Sequence, residues 1–140
     1  MKIAQLTIDL FNVVEVALQQ TWTPIYLRLL ACVLLYGGFV HIGNILGFGG
    51  TPWLETPLLW RILDIVLLIF NIGVAIALFA KRPISVLILV AGLILFQFIP
   101  YTFFRSYFLT QPEDAATLNG LLGTEALLLL ILFLLIYFKK

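Results

Sequence analysis

The sequence predicts an all-α integral membrane protein: a four-helix bundle preceded by an N-terminal amphipathic helix that lies in the membrane interface. Of its 140 residues, 63% are hydrophobic and 11% are charged, whereas a soluble domain is about half apolar and about a quarter charged. Four apolar runs, each long enough to cross a bilayer, make up most of the chain. We therefore expect residues 1–140 to form a single membrane domain.

The first segment, residues 1–20, has the pattern of an amphipathic helix. Polar residues recur at steps of three and four from Gln5 to Gln19, and apolar residues fill the opposite face. Charged residues interrupt the apolar part, which argues against a signal peptide. The polar face is acidic, whereas helices that bind lipid surfaces are usually basic. Contact with lipid and packing against the bundle or a partner protein are both open.

Four spans follow, each with its own start signal. They are predicted over residues 24–46, 57–80, 83–104 and 120–138. Thr23-Pro24 and Thr56-Pro57 have the pattern of a capping residue before a proline at the first helical position, and Pro83 opens the third span in the same way.

Two further signals concern the third and fourth spans. Pro100 lies inside the third span and is expected to bend it or to loosen one backbone hydrogen bond. Thr110 and Glu113 have the spacing of a capping box, which predicts that the fourth helix begins near Gln111.

The basic residues predict the orientation. If the spans alternate, one end of the bundle carries six of them and the other end carries two: Lys2, Arg28, Lys81, Arg82, Lys139 and Lys140 against Arg61 and Arg105. Basic residues accumulate on the cytoplasmic side, so both termini are predicted to be cytoplasmic, in a cytoplasmic-type membrane. The net charge of +1 argues against a nucleic-acid partner. The single cysteine, Cys32, excludes an internal disulfide, and its apolar surroundings predict a buried thiol.

Polar side chains fall in all four spans, and all but Asn71, in the middle of the second span, lie at a similar depth toward the predicted outer surface. They are candidates for a polar network or a ligand-binding site: His41, Asn44, Arg61, Asp64, Asn71, Gln97, Tyr101 and Glu125. Arg61 and Asp64 lie one helical turn apart, which predicts a pair between them. Gly37, Gly38 and Gly43 predict the close approach of another helix to the first span. Because charges are expensive in hydrocarbon, these groups form either structural contacts between helices or a functional pocket.

No catalytic or metal-binding pattern is present in the sequence. One histidine and one cysteine are too few for haem or a two-metal centre, so no metal is predicted. Phosphate-loop, dinucleotide-binding and hydrolase motifs are absent, which favours a non-catalytic role. A small transporter component is less favoured, because four spans are few and no internal repeat is visible.

Two stretches resemble the DoxX-like family of membrane proteins. The run from Arg28 to His41 is similar to that family's first helix, in which an arginine is followed by a small residue, a glycine and a basic residue. The stretch from Arg61 through Asp64 to Pro83 is similar to the second helix, which carries an acidic residue and ends in a basic turn. Here aspartate stands where glutamate is usual and histidine where lysine is common, and Cys32 departs from the small-residue position. The resemblance covers residues 24–100.

The resemblance implies a four-helix bundle linked to redox or quinone chemistry, since the family includes a subunit of a thiosulfate:quinone oxidoreductase. The small size of the chain and its lack of a soluble domain favour an accessory subunit, with membrane lipid and other integral membrane proteins as partners. The alternative is a protein that binds a quinone, a lipid or another small molecule in a polar pocket of the outer leaflet.

Overall fold

In a computed structural model, which describes residues 1–109 and 111–138, the chain is helical and no described residue lies in a strand. The helices are α1 Lys2–Leu18, α2 Trp22–Ile45, α3 Leu58–Phe79, α4 Pro83–Leu93, α5 Ile99–Phe103 and α6 Asp114–Tyr137. A π-helical turn, Ile94–Phe98, joins α4 to α5 into one interrupted span. Short 3-10 helices, Trp53–Glu55 and Arg105–Tyr107, lie in two of the connections.

Four of these elements are long and apolar enough to span a membrane: α2, α3, the α4–α5 span and α6. The shortest has 21 residues, and about 20 suffice to cross the hydrocarbon core. This result confirms the predicted all-α four-helix bundle, with four helices that could span a membrane. Many Ile, Leu and Phe side chains are exposed on these helices, as suits a surface that hydrocarbon surrounds. Cys32 is also exposed, so the prediction of a buried thiol was wrong.

Two clusters of buried side chains stack along the bundle. We call the end at which α2 ends and α3 begins the loop end, and the opposite end the terminal end. The larger cluster fills the terminal half and includes Leu27, Leu78, Leu89 and Leu132, each at most 2% exposed. The smaller cluster lies in the loop half and consists of Leu63, Leu67, Tyr101, Phe108 and Leu118. The bundle is therefore closed by apolar packing at its terminal half and less completely at its loop half.

Helix α1 contacts the terminal end of the bundle with its last turns. Val14 and Ala17 are buried in the larger cluster, whereas Ile3 and Leu6 near the start of α1 are 81% and 59% exposed. Of the two alternatives for this amphipathic helix, packing against the bundle is present in its second half. Contact of its first half with lipid stays a prediction.

The threonines predicted to cap α2 and α3 have other partners. Helix α2 begins at Trp22, and the hydroxyl of Thr23 donates to Gln20 Oε1 at 3.3 Å. The hydroxyl of Thr56 donates to the backbone oxygen of Trp53 at 2.6 Å, so it stabilises the 3-10 helix in the loop. Both predicted caps were wrong, although the helices begin within two residues of the predicted positions.

The fourth long helix begins later than predicted. Helix α6 starts at Asp114 rather than near Gln111, and the carboxylate of Asp114 accepts a hydrogen bond from the backbone N–H of Gln111 at 2.7 Å. Thr110 of the predicted capping box and the basic Lys139 and Lys140 lie outside the described residues.

Pro100 follows directly on the change of helical type in the third span. Proline lacks the N–H that an α-helix requires, and the preceding residues form the π-helical turn, in which the N–H of Ile99 donates to the oxygen of Ile94. A π turn widens the helix locally and is frequent at functional sites. Gln97 and Tyr101 are both buried on this part of the span.

Glycines allow α2 to approach α3 closely. A Cβ atom on Gly37 would lie 2.8 Å from Asn71 Nδ2, and one on Gly38 would lie 3.2 Å from Ile72 Cγ1. Gly43 is different, because a Cβ atom there would meet nothing within 4 Å. The close approach predicted for Gly43 is therefore absent from the structure.

Two further interhelical contacts involve residues that the sequence did not single out. Gly92 of α4 lies under the ring of Phe70 of α3, so that a Cβ atom at Gly92 would be 2.0 Å from Phe70 Cε2. The hydroxyl of Tyr26 on α2 donates to the backbone oxygen of Leu128 on α6 at 2.6 Å. The second contact ties α6 to the bundle just below the polar residues of its loop half.

Candidate functional site

The carboxylate of Asp64 is the centre of the polar residues in the loop half. Asp64 is 2% exposed. Its Oδ1 atom accepts hydrogen bonds from His41 Nδ1 at 2.7 Å and from Asn44 Nδ2 at 3.1 Å. Its Oδ2 atom accepts a third from Trp53 Nε1 at 2.8 Å. One carboxylate thus joins α2, α3 and the loop between them.

Local structure explains why three donors meet at Asp64. His41 and Asn44 are three residues apart on α2 and so lie on one face of that helix. The Thr56 hydroxyl bond to Trp53 holds the 3-10 turn that carries the indole. The loop also folds back over the end of α2, because a Cβ atom on Gly49 would lie 2.9 Å from Asn44 Oδ1.

Arg61 does not pair with Asp64, contrary to the prediction. Among the described residues the ion pair of Asp64 is with His41, and the Nε atom of Arg61 is buried without a hydrogen-bond partner. Spacing along one helix permitted a pair between Arg61 and Asp64, but the packing of α2 on α3 supplies Asp64 with donors from another helix. Together these donors satisfy both oxygens of the carboxylate.

A cavity of about 560 Å³ opens beside Asp64, and all four spans line it. It brings together seven of the eight polar residues proposed from the sequence, with Arg61 as the exception. They are His41, Asn44, Asp64, Asn71, Gln97, Tyr101 and Glu125. The polar side chains therefore face a shared space rather than four separate patches of hydrocarbon.

Two acceptor atoms at this cavity have no partner among the described residues. Asn71 is 3% exposed, and its Oδ1 atom is buried and unbonded. The Oε2 atom of Glu125 on α6 is buried and unbonded as well. A buried acceptor without a donor is costly, at about 1–3 kcal/mol. A bound molecule would gain the most binding free energy from hydrogen bonds to these two atoms.

The exposed residues that line the cavity indicate a sideways opening between α2 and α6. Exposed residues from both helices line it at this gap: Tyr36 and Val40 on α2, and Leu121 and Thr124 on α6. The bond from Tyr26 to Leu128 closes the same gap nearer the terminal end. A molecule dissolved in the bilayer could therefore enter from the side.

A smaller apolar void of about 40 Å³ continues from the cavity toward the terminal end. Leucines from α2, α4 and α6 line most of it, and Glu125 borders both spaces. The polar head of a ligand would thus lie on one side of Glu125, and an apolar group could reach the other side.

Several residues of the site carry no signal in the sequence that would connect them with it. Trp53 lies 11 residues before Asp64 in a loop, where no helical period connects them. Trp60 and Phe108 also line the cavity, although aromatic residues at these positions look like ordinary core or interface side chains. Within the described part of the chain, no group of three or more His, Cys, Asp or Glu residues is placed to hold a metal ion.

Comparison with protein-family models, with curated proteins and with solved structures finds no match to this chain. The resemblance to DoxX-like proteins and the link to redox complexes therefore stay predictions. The cavity itself is the feature of the molecule that points to a function.

Proposed function

We propose that this protein binds a small amphiphilic molecule within the membrane, in the cavity between α2 and α6. The observation that carries the proposal is a space of about 560 Å³ that all four spans line and that contains the unbonded acceptors of Asn71 and Glu125. Ligand sites are commonly apolar clefts with a few convergent polar groups. This cavity has that composition and a sideways opening.

The polar side chains that line the cavity favour a binding role over purely structural contacts. In the structural alternative, the polar groups of neighbouring helices satisfy one another, as His41, Asn44 and Trp53 satisfy Asp64. Asn71 and Glu125 are not satisfied in that way. A quinone and a membrane lipid are the two candidate ligands that the sequence suggests, and either would enter from the bilayer.

Purification from the native membrane in a mild detergent tests this proposal. We expect native mass spectrometry to detect a small molecule bound to the unmodified protein, and Thr124→Trp to lose it, because the indole would fill the opening. Ala126→Trp is the matched control, since Ala126 is exposed on the same helix but does not line the cavity. If all three proteins carry the same small molecules, or none carries any, the proposal is wrong.

A second candidate function is that of an accessory subunit in a larger membrane complex, which the exposure of α6 favours. Only 11% of the most apolar stretch of α6 is buried inside the protein, whereas the corresponding share is 28% to 44% in the other three spans. Helices in a membrane associate through close packing of such faces. Under this proposal, the same mass spectra would show another integral membrane protein in constant ratio to this chain, and α6 substitutions such as Leu130→Trp would remove it.

A further inference from the structure

The charged groups around the cavity are mostly acidic. Asp64, Asp114 and Glu125 line it, and His41 is the basic residue among the described lining residues, which include no lysine or arginine. Asp64 already holds His41 and two further donors, and Asp114 accepts a bond from the Gln111 backbone. Glu125, whose Oε2 atom is unbonded, is therefore the carboxyl group that we expect to bind a ligand.

The two unbonded atoms at the cavity can accept hydrogen bonds from a ligand. Asn71 Oδ1 is an acceptor and is more than nine-tenths buried, and Glu125 Oε2 is an acceptor when its carboxyl group is ionised, as it would be beside a cation. A ligand with carbonyl or carboxylate oxygens would bring further acceptors to them, whereas hydroxyl or amine groups would supply what is missing. An anionic head group would in addition be repelled by the carboxylates.

Aromatic residues add to the preference for a positive charge. Tyr36, Trp60, Tyr101 and Phe108 line the same cavity, and aromatic rings attract organic cations at short range. A buried ammonium group needs an anionic partner, because an unpaired charge is very costly away from water. Glu125 can provide that partner.

We infer that the ligand is an amphiphilic organic cation, a protonated amine on an apolar body, with Glu125 as its counter-ion. Its N–H groups donate to Glu125 and to Asn71 Oδ1, and its apolar part occupies the opening between α2 and α6. This inference rests on the proposed function and adds to it the charge of the ligand.

A series of ligands with one tail and different heads tests the charge directly. The protein is reconstituted in phosphatidylcholine nanodiscs, and the binding of octylammonium, octanol and octanoate is measured by tryptophan fluorescence against empty nanodiscs. We expect octylammonium to bind at least about tenfold more tightly than octanol, because hydrogen bonds to charged groups are the stronger ones, and octanoate to bind most weakly. This comparison uses the unmodified protein and so does not depend on the folding of a variant.

A variant then tests the residue. Glu125→Gln should weaken the binding of octylammonium about tenfold and that of octanol much less, because glutamine keeps an acceptor oxygen but not the charge. Glu113→Gln is the control, because Glu113 is exposed near the start of α6 and does not line the cavity. Equal losses in both variants would overturn the role of Glu125.

The outcomes separate this inference from the proposed function. Suppose that octanol or a short-chain quinone binds more tightly than octylammonium and that Thr124→Trp abolishes this binding. The inference of a cationic ligand is then wrong, but the proposed binding site is correct. If no ligand shows binding that Thr124→Trp abolishes, both are wrong.

Discussion

At the scale of single residues, Asp64 determines how the polar side chains in the loop half are arranged. A carboxylate at the depth of hydrocarbon is tolerated only when donors satisfy it, and Asp64 has three of them from two other elements. With the carboxylate as acceptor, His41 carries its hydrogen on Nδ1, which leaves Nε2 as the second bonding atom of the ring. The sequence identified the correct residue types at this depth, but it paired Asp64 with Arg61. Side-chain spacing along one helix cannot reveal a partner on another.

Replacing Asp64 with asparagine should destabilise the protein. Asn would present an NH₂ group where the structure requires an acceptor, so at least one of His41, Asn44 and Trp53 would lose its partner. We expect a loss of about 1–2 kcal/mol in the free energy of unfolding, visible as a lower thermal midpoint in detergent.

Two controls accompany the Asp64→Asn measurement. Asp9→Asn changes an exposed carboxylate on α1 and should leave the midpoint unchanged. Arg61→Gln should also have little effect, because Arg61 has no ion pair in the described structure. A midpoint for Asp64→Asn equal to that of the unmodified protein, or a large loss in Arg61→Gln, would contradict this account of the network.

At the scale of elements, close packing between helices and one irregular turn place the cavity. Gly37 brings α2 against Asn71 of α3, and Gly92 brings α4 against Phe70 of the same helix. The π-helical turn before Pro100 then widens the third span where Gln97 lies buried. The sequence indicated Gly37 and Pro100 as features of interest. It did not indicate Gly92, since a glycine inside an apolar run shows nothing of what covers it.

Gly92→Ala should destabilise the contact between α3 and α4. The new methyl group would lie 2.0 Å from Phe70 Cε2, so the ring or the helix must move, and overpacking of this kind typically costs about 1–3 kcal/mol. A lower thermal midpoint in detergent is the expected result. Gly73→Ala on α3 is the matched control, because nothing lies within 4 Å of its Cβ position, and it should keep the midpoint or raise it. Equal thermal midpoints for both variants would show that the Phe70 ring moves aside with no loss of stability.

At the scale of the whole molecule, the bundle has an apolar half and a polar half. The larger buried cluster fills the terminal half together with the end of α1, and the cavity lies in the loop half. This division depends on alternating spans, which bring the end of α2, the start of α3, the end of the α4–α5 span and the start of α6 to one level. The predicted orientation would place the cavity in the outer leaflet.

Cysteine labelling can test the orientation with substitutions that leave the basic residues unchanged. In a Cys32→Ser background, Leu54→Cys places a thiol at the loop end and Gln19→Cys places one at the terminal end, both at exposed positions. If both termini are cytoplasmic, a membrane-impermeant maleimide should label Leu54→Cys in intact cells and Gln19→Cys only after the membrane is opened. Labelling of both variants in detergent is the control. The reverse pattern would place the cavity on the cytoplasmic side.

The sequence by itself determined the helical class, the four spans and the level at which the polar residues lie. These are local properties, because the length of an apolar run and the helical period depend only on neighbours along the chain. Only the tertiary structure decided that Asp64 bonds His41, Asn44 and Trp53, that Gly43 is open while Gly92 is covered, and that a cavity forms where Asn71 and Glu125 keep unbonded oxygens. Partners on different helices depend on the angle and rotation of each helix against the next, and many similar apolar side chains contribute to that packing.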